Sequence, residues 1–306
     1  MFHPKARLLR VAVALTAAGA MVLGFTASAE ASPSSSSSSS RVLNQIPLIH
    51  VDISAEGGFT LPATVRSGLV SFEVVGADTA SHALQGFRLK PGHTVDEVMH
   101  DFELGLLGDF PARAEGAREL LTDSVLVGGV VTVPSRAITV TVPLEPATYY
   151  FFDLSDLGER EVRIHTITAT GFFRLSLPPQ FDRVVLTNME NGEPRFITPT
   201  QFSATGSFLF VNNGDEIHEV VFRPTTPGIT DDYITEFYDA VLAGGPRPPS
   251  PWTDVQHGLQ ALSPGRWAIT KLDLAPGLYS EICYVPDDEI GIPHAYEGMH
   301  QMVTLG

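Results

Sequence analysis

The chain has 306 residues, and its 35 Asp and Glu residues outnumber its 19 Lys and Arg residues, which gives a formal net charge of −16. This excess of negative charge repels phosphate backbones and argues against nucleic acid as a partner, so any protein partner is expected to be basic. The whole sequence contains one cysteine, which excludes an internal disulfide.

The first 42 residues predict export of the protein. Residues 1–31 combine basic residues, an apolar run over 11–26 and small residues that offer cleavage after Ala29 or Ala31, the layout of a secretory signal peptide. The alternative of an uncleaved anchor is weaker, because a membrane span normally needs ~20 apolar residues. Residues 32–42 form a Ser-rich linker. We therefore expect a secreted protein with no lipid anchor and no membrane span after cleavage.

The remainder of the chain contains one pattern twice, at a spacing of 136 residues from Ser71 to Ser207. The first copy of the pattern is followed by His82 and the second by His218, at the same spacing. Ordered matches of this kind indicate a duplication. We place a first domain at 43–178, a second at 179–306 and the boundary near Pro178-Pro179.

Each copy consists mostly of short strands. Residues 125–142 alternate β-branched and small or polar residues, and later segments such as 208–211 and 278–285 are also rich in strand-forming residues. Thr94 in the first copy and Thr230 in the second each precede a short helical pattern, as helix caps do. The prediction is an all-β fold of two tandem Greek-key sandwich domains, each with one short inserted helix.

Four residues of the second domain are candidates for a metal site. His218 lies where a strand leaves a turn, Cys283 lies at the end of another strand, and His294 and Met299 share the loop that follows. One thiolate and two imidazoles with a weak thioether are the donor set that suits copper in both oxidation states. Zinc is the weaker alternative, because Met is a poor zinc ligand and closed structural zinc sites use only Cys and His.

This order of ligands resembles the cupredoxin family, which includes plastocyanin, azurin and auracyanin. The resemblance implies one type 1 copper per chain, with Cys283 as the strong ligand, His218 and His294 as nitrogen ligands and Met299 as the weak axial ligand. It also implies that His294 is the ligand nearest to solvent. The sequence departs from plastocyanin and azurin in one respect: ten residues separate Cys283 from His294, and copper nitrite reductases have a comparably long loop.

The first domain lacks this set of residues. His82 is retained, but Asp153 stands at the position of Cys283, and no Met follows His165 at a suitable spacing. We therefore predict a degenerate domain without a copper site.

Three classes of function remain open on the sequence. The first is a secreted blue-copper protein, an electron carrier with a basic redox partner or a protein of copper storage or delivery. The second is a metal-free scaffold or adhesion module. The third, a two-domain copper oxidase or nitrite reductase, is disfavoured because Ile282 and Tyr284 flank Cys283 and no His-x-His pair occurs. Several acidic residues lie near the site, and they form either a docking surface for a basic redox partner or an ordinary solvated loop. They are Glu219, Glu297 and those at 287–289.

Overall fold

The computed structural model describes most of the chain after the predicted leader. It covers residues 46–132, 136–174, 180–190, 192–254 and 256–306. The predicted signal peptide, the Ser-rich linker and the boundary at Pro178-Pro179 lie outside the described residues. Among the described residues, none of the helices has both the length and the apolar composition of a membrane span. Residues 46–306 form one compact unit.

The described residues form seventeen strands and three α-helices. The strands of the first copy are β1 (Leu48–Ile53), β2 (Thr64–Arg66), β3 (Gly68–Gly76), β4 (Ala83–Leu89), β5 (Ser124–Val131), β6 (Ile138–Leu144), β7 (Ala147–Asp153) and β8 (His165–Thr170). Those of the second copy are β9 (Arg183–Glu190), β10 (Glu193–Ile197), β11 (Gln201–Phe202), β12 (Thr205–Asn212), β13 (His218–Pro224), β14 (His257–Leu262), β15 (Trp267–Asp273), β16 (Gly277–Ile282) and β17 (His300–Leu305). The helices are α1 (Val95–Leu107), α2 (Phe110–Asp123) and α3 (Asp231–Leu242).

The strands form two sheets in which the two copies have the same order. In the seven-stranded sheet, β1-β3-β6 of the first copy corresponds to β9-β12-β15 of the second. In the ten-stranded sheet, β5-β4-β7-β8-β2 corresponds to β14-β13-β16-β17-β11. The repeated order confirms the predicted fold class of two related β-sandwich copies. Four strand pairs at corresponding places in the two copies are parallel: β1 with β3, β9 with β12, β2 with β8 and β11 with β17.

Both sheets continue from one copy into the other. Strand β6 pairs with β15 in the smaller sheet, and β5 pairs with β14 in the larger one, both antiparallel. The main core fills the space between the two sheets, and it includes Phe72 and Phe151 of the first copy and Phe208 and Phe222 of the second. Since the strands are paired across the junction, the edges that each copy would otherwise expose are covered.

The helices pack on the outer face of the larger sheet, where they form two separate apolar clusters. The predicted caps are present, because the Thr94 side chain accepts from the amide of Glu97, and Thr230 accepts from that of Tyr233. Helix α2 is a departure from the prediction of one helix per copy: it begins after Asp109, which caps it, and has no counterpart in the described part of the second copy.

Helices α1 and α2 cross at two glycines. A Cβ built on Gly116 would lie 2.4 Å from the Gly105 amide nitrogen and 2.5 Å from the Asp101 carbonyl oxygen, so only a residue without a side chain fits there. The Asp101 side chain is buried at this crossing, and its Oδ2 has no hydrogen-bond partner among the described residues. Burial, followed by the negative charges of Asp123 and Glu119, raises the pKa of Asp101 to about 6.

Replacing this carboxyl group should stabilise the protein above about pH 6. A raised pKa in the folded state stabilises the fold at low pH, and that contribution is lost as the pH rises from about 4 to about 6. Asp101→Asn should therefore raise the free energy of unfolding at about pH 8 by at most about 3 kcal/mol, and change it little at about pH 4. Urea unfolding at both pH values measures this difference. Glu103→Gln, at an exposed position of the same helix, is the control, and an unchanged or lower stability of Asp101→Asn at about pH 8 would contradict the assignment.

Candidate metal centre

The larger sheet places His218 and Cys283 next to each other. His218 is the first residue of β13, and Cys283 directly follows β16. These two strands are antiparallel neighbours, with Val221 opposite Ile282. Pairing of the strands thus brings together residues that are 65 positions apart in the sequence, as predicted.

The loop after Cys283 folds back on itself and returns His294 and Met299 to the same point. His294 begins a short 3-10 helix (His294–Glu297), which ends at Gly298 in a left-handed conformation with φ of 93°. The amide of Met299 donates to the His294 carbonyl at 2.8 Å, and the amide of Cys283 donates to the Met299 carbonyl at 3.3 Å. The amide of Ala295 donates to the Cys283 carbonyl at 2.8 Å. Three backbone hydrogen bonds therefore fix the relative positions of these three predicted ligands.

Three donor atoms face one another at this point. The two Nδ1 atoms of His218 and His294 are 3.2 Å apart, and Cys283 Sγ lies 3.8 Å from the first and 3.5 Å from the second. A single ion bonded to nitrogen at ~2.0 Å and to sulfur at ~2.3 Å, the lengths found at zinc sites, spans such separations when its bond angles are about 100–120°. The side chains are thus already in the arrangement that a metal ion requires.

Met299 completes the set on the core side. Its side chain is fully buried and belongs to the same apolar cluster between the sheets as Cys283. The thioether is a soft, weak donor, which suits copper and is a poor match for zinc. The four side chains fit a type 1 copper site.

The comparisons with known proteins give structural similarities alone. No protein-family model and no curated protein matches the chain. One similar solved structure is dithionite-reduced auracyanin from the photosynthetic bacterium Roseiflexus castenholzii, with 19% identity, coverage of 41% of this chain and 98% of that one, and a TM-score of 0.26. Another is rusticyanin, with 18% identity, coverage of 40% of this chain and 76% of that one, and a TM-score of 0.25. Copper nitrite reductase from Nitrosomonas europaea is also similar, with 12% identity, coverage of 86% of this chain and 94% of that one, and a TM-score of 0.24. Similarities at this level carry no argument about function, which rests on the residues of this chain.

Burial sets the protonation of the predicted ligands in the metal-free protein. Burial, and after it the charge of Glu219, raises the pKa of the Cys283 thiol well above its ordinary value. Burial and the neighbouring His294 lower the pKa of His218 well below its ordinary value, so this imidazole stays neutral. A neutral imidazole is ready to bind a metal, whereas the thiol must first lose its proton.

His294 is not the exposed ligand that the cupredoxin resemblance implies. Its side chain is 0% exposed, and its Nε2 lies 2.7 Å from the carboxylate Oε2 of Glu216, which is itself buried. An Nε2–H that donates to this carboxylate leaves Nδ1 with the lone pair that a metal binds, and it fixes the plane of the ring. Glu216 was not predicted as part of the site, although it precedes His218 by two residues in the same turn.

The His218 ring is held from the opposite side by Gly214. A Cβ at Gly214 would lie 2.8 Å from His218 Nε2, so the ring occupies the space that any other residue would fill. His218 Nε2 is buried and has no hydrogen-bond partner within the described chain. Packing on the Nε2 side, together with the contacts of Nδ1 with His294 Nδ1 and Cys283 Sγ, therefore orients this ring.

The long loop between Cys283 and His294 reaches the first copy of the domain. Arg118 on α2 donates to the Asp288 carbonyl at 2.7 Å. Gly291 packs directly on the start of α2, because a Cβ there would lie 1.7 Å from the Phe110 carbonyl oxygen and 2.8 Å from the Ala114 amide nitrogen. The ten-residue spacing thus has a structural explanation: the loop is long enough to dock on the helix that only the first copy has among the described residues.

Glu219, one of the acidic residues near the site, is not part of a solvated loop. Only 8% of it is exposed; its amide donates to Cys283 Sγ at 3.5 Å, and its carboxylate accepts from the amide of Tyr284 at 3.0 Å. Burial raises the pKa of Glu219 to about 7, and burial together with Asp287 and Glu216 raises that of Glu297 to about 8. Glu219 therefore supports the site from inside, and its interpretation as part of a docking surface or a solvated loop is wrong.

In the first copy, an ion pair takes the place of the metal donors. His82 Nδ1 lies 2.5 Å from Asp153 Oδ2, and its Nε2 lies 3.0 Å from Asp78. Burial opposes protonation of His82, but the hydrogen bonds and charges of Asp153 and then Asp78 outweigh it, and the pKa of His82 is raised. His165 packs against Phe59 with ring centroids 3.9 Å apart.

Elsewhere in the first copy, three other donor atoms lie within 4.8 Å of one another, those of His93, Glu97 and Asp123. They already have partners within the protein, because His93 Nδ1 lies 2.9 Å from Asp123 and Glu97 caps helix α1. The prediction that the first copy has no copper site stays a prediction.

Copper uptake should release the proton of Cys283. Because the buried thiol is protonated in the metal-free protein, addition of Cu(II) near pH 7 should release about one proton per ion bound from this group, and apparent affinity should fall about tenfold for each pH unit lowered. Titration in a weakly buffered solution with a pH indicator measures the release. Cys283→Ala is the control, since it has no thiol proton to lose. Equal proton release by this variant and the natural protein would contradict the prediction.

Proposed function

We propose that this chain binds one copper ion at His218, Cys283, His294 and Met299, and that it is a secreted electron carrier. One observation carries the proposal: three soft or borderline donor atoms from distant parts of the sequence face one another within 4.8 Å, all buried. The same three atoms lie 3.2 to 3.8 Å from one another, and a thiolate with two neutral imidazole nitrogens at these separations offers three lone pairs to one ion.

The residues around the site favour electron transfer because they hold the ligands in place. Copper, when bound, supplies a centre that can gain or lose one electron. The backbone hydrogen bonds of Cys283, Ala295 and Met299, the Glu216 carboxylate on His294 and the packing of Gly214 on His218 restrain the donors independently of the metal. Little movement is then needed when the charge of the ion changes, and a site of this kind suits rapid electron exchange.

Burial of the ligands favours transfer of electrons over transfer of copper. The side chains of Cys283 and His294 are fully buried and that of His218 nearly so, so the ion could leave only after the loop opens. Storage or delivery of copper is the second candidate, and the rate at which a chelator removes copper distinguishes the two. An oxidase or nitrite reductase role is disfavoured by Ile282 and Tyr284, which stand beside Cys283 where such enzymes have His residues that lead to a second copper.

The proposed partner is a basic redox protein outside the cell. Support comes from the net charge of −16 and from the signal-peptide pattern of residues 1–31. The lone thiol is consistent with export, since Cys283 is buried and protected from oxidation.

Removal of the thiolate should abolish the intense visible absorption of the Cu(II) form. Cys283→Ser offers no soft donor, and Cys283→Ala replaces the thiol with an apolar group that keeps the packing of the core. Both variants should lose the band and bind copper weakly, while far-ultraviolet circular dichroism shows the same β content. A retained band in either variant would remove Cys283 from the ligand set, whereas a natural protein that shows no such band with Cu(II) would favour the metal-free scaffold.

Loss of the thioether should raise the reduction potential and keep the copper. Met299→Leu removes a weak donor that favours Cu(II) over Cu(I), so the reduced form gains relative to the oxidised one. Protein-film voltammetry measures the potential. Met302→Leu makes the same change on the adjoining strand β17 and should leave the potential unchanged. Equal potentials in Met299→Leu and the natural protein would remove Met299 from the ligand set.

A further inference from the structure

A second feature of the fold, separate from the metal donors, is an apolar cavity between the two copies. It has a volume of about 70 Å³ and lies between helices α1 and α2 on one side and the start of the Cys283–His294 loop on the other. Its walls are mainly apolar and include Phe102, Leu106 and Leu120 of the helices and Ile217 and Val285 of the second copy. One water needs only about 10–15 Å³, so the cavity has room for a group of several atoms.

Two buried carboxamides line this apolar space with unused acceptors. Gln85 is 0% exposed, and its Nε2 donates to the carbonyls of Gly86 and Ala261 at 2.9 and 3.2 Å, which leaves Oε1 without a partner in the described structure. Gln260 is 2% exposed, and its Oε1 is likewise unpaired. Buried acceptors are nearly always paired in proteins. These two acceptors therefore remain for a ligand that can donate a hydrogen bond to them.

We propose that this cavity binds a small neutral molecule with an apolar ring or chain and an O–H or N–H donor, of which phenol is the simplest probe. The apolar part would contact the helical side chains, and the donor would satisfy Gln85 or Gln260. An anion is disfavoured, since no Lys or Arg is among the residues that line the cavity and Glu219 is. A cation is disfavoured by the cost of leaving water for a mainly apolar site.

The cavity adjoins the metal site through Glu219. This residue lines the cavity, and its amide donates to Cys283 Sγ at 3.5 Å. Tyr284 and Val285, the two residues after Cys283, line it as well. A bound molecule that shifts this segment would alter the hydrogen bond to the sulfur. This coupling rests on the proposed copper function, whereas binding itself does not.

The first test measures binding to the full-length, metal-free protein by calorimetric titration. Phenol should bind with a stoichiometry of one, and anisole, which has a similar ring and no donor, should bind about tenfold more weakly because it leaves the carboxamides unpaired. Absence of saturable phenol binding at millimolar concentrations, or equal binding of anisole, would overturn the proposal. So would a crystal structure in phenol that shows only ordered water in the cavity.

Variants locate the binding. Ala117 lies on α2 and lines the cavity, so Ala117→Leu should fill it and weaken phenol binding at least tenfold. Glu115→Leu, at an exposed position of the same helix, introduces the same side chain outside the cavity and should bind phenol normally. Gln260→Met removes one unpaired acceptor with little change in size and should narrow the difference between phenol and anisole. Normal phenol binding by Ala117→Leu would place the ligand elsewhere and refute the assignment.

The copper-loaded protein separates the two proposals. If both hold, phenol should shift the visible thiolate band of the natural protein and leave that of Ala117→Leu unchanged. Binding of phenol by a protein that takes up no copper would support the cavity and refute the copper function. Copper uptake without phenol binding would support the copper function and refute the cavity as a ligand site.

Discussion

The antiparallel pairing of β13 with β16 is the constraint on which the site depends. It carries His218 to the side of Cys283, and the backbone of the following loop then returns to the same strand end, through hydrogen bonds between Cys283, Ala295 and Met299. The donor atoms are separated by distances that one metal ion would span, with His218 and His294 Nδ1 3.2 Å apart. The sheet thus prepares the site before any ion binds, and the cost of bringing the donors together is part of the cost of folding.

The two copies differ at the position that provides the metal donors in the second copy. In the second copy, a thiol and two imidazoles meet; in the first, Asp153 has the place of Cys283 and forms a buried ion pair with His82. The Asp153 carboxylate and the His82 imidazole are hydrogen-bond partners for each other, so these buried polar atoms are paired without an ion. Its added helix α2 supports the loop of the second copy, through Arg118 and the close packing of Gly291. The first copy therefore supports the proposed metal centre of the second, and that it binds no copper itself stays a prediction.

Burial is the second physical factor in this region. His294 is shielded from solvent by Glu216, and Glu219 is enclosed between the sulfur of Cys283 and the cavity below α1 and α2. In an environment of this kind the neutral forms of acids are favoured, which is why the pKa values of Glu219 and Glu297 are raised to about 7 and about 8. Near neutral pH, Glu219 and Glu297 therefore carry less negative charge than exposed acidic residues of this chain.

The amino-acid sequence was enough to predict the duplication, the predominance of strands, the caps of α1 and α3, and the four candidate ligands. These features depend on residue type and on spacing along the chain, such as the interval from Cys283 through His294 to Met299. Four features could be seen only in the tertiary structure: helix α2, the pairing of both sheets across the two copies, the burial of His294 under Glu216, and the cavity at Gln85 and Gln260. Each of these depends on contacts between residues far apart in the sequence. A local pattern records which face of an element is apolar, but not which distant element covers it.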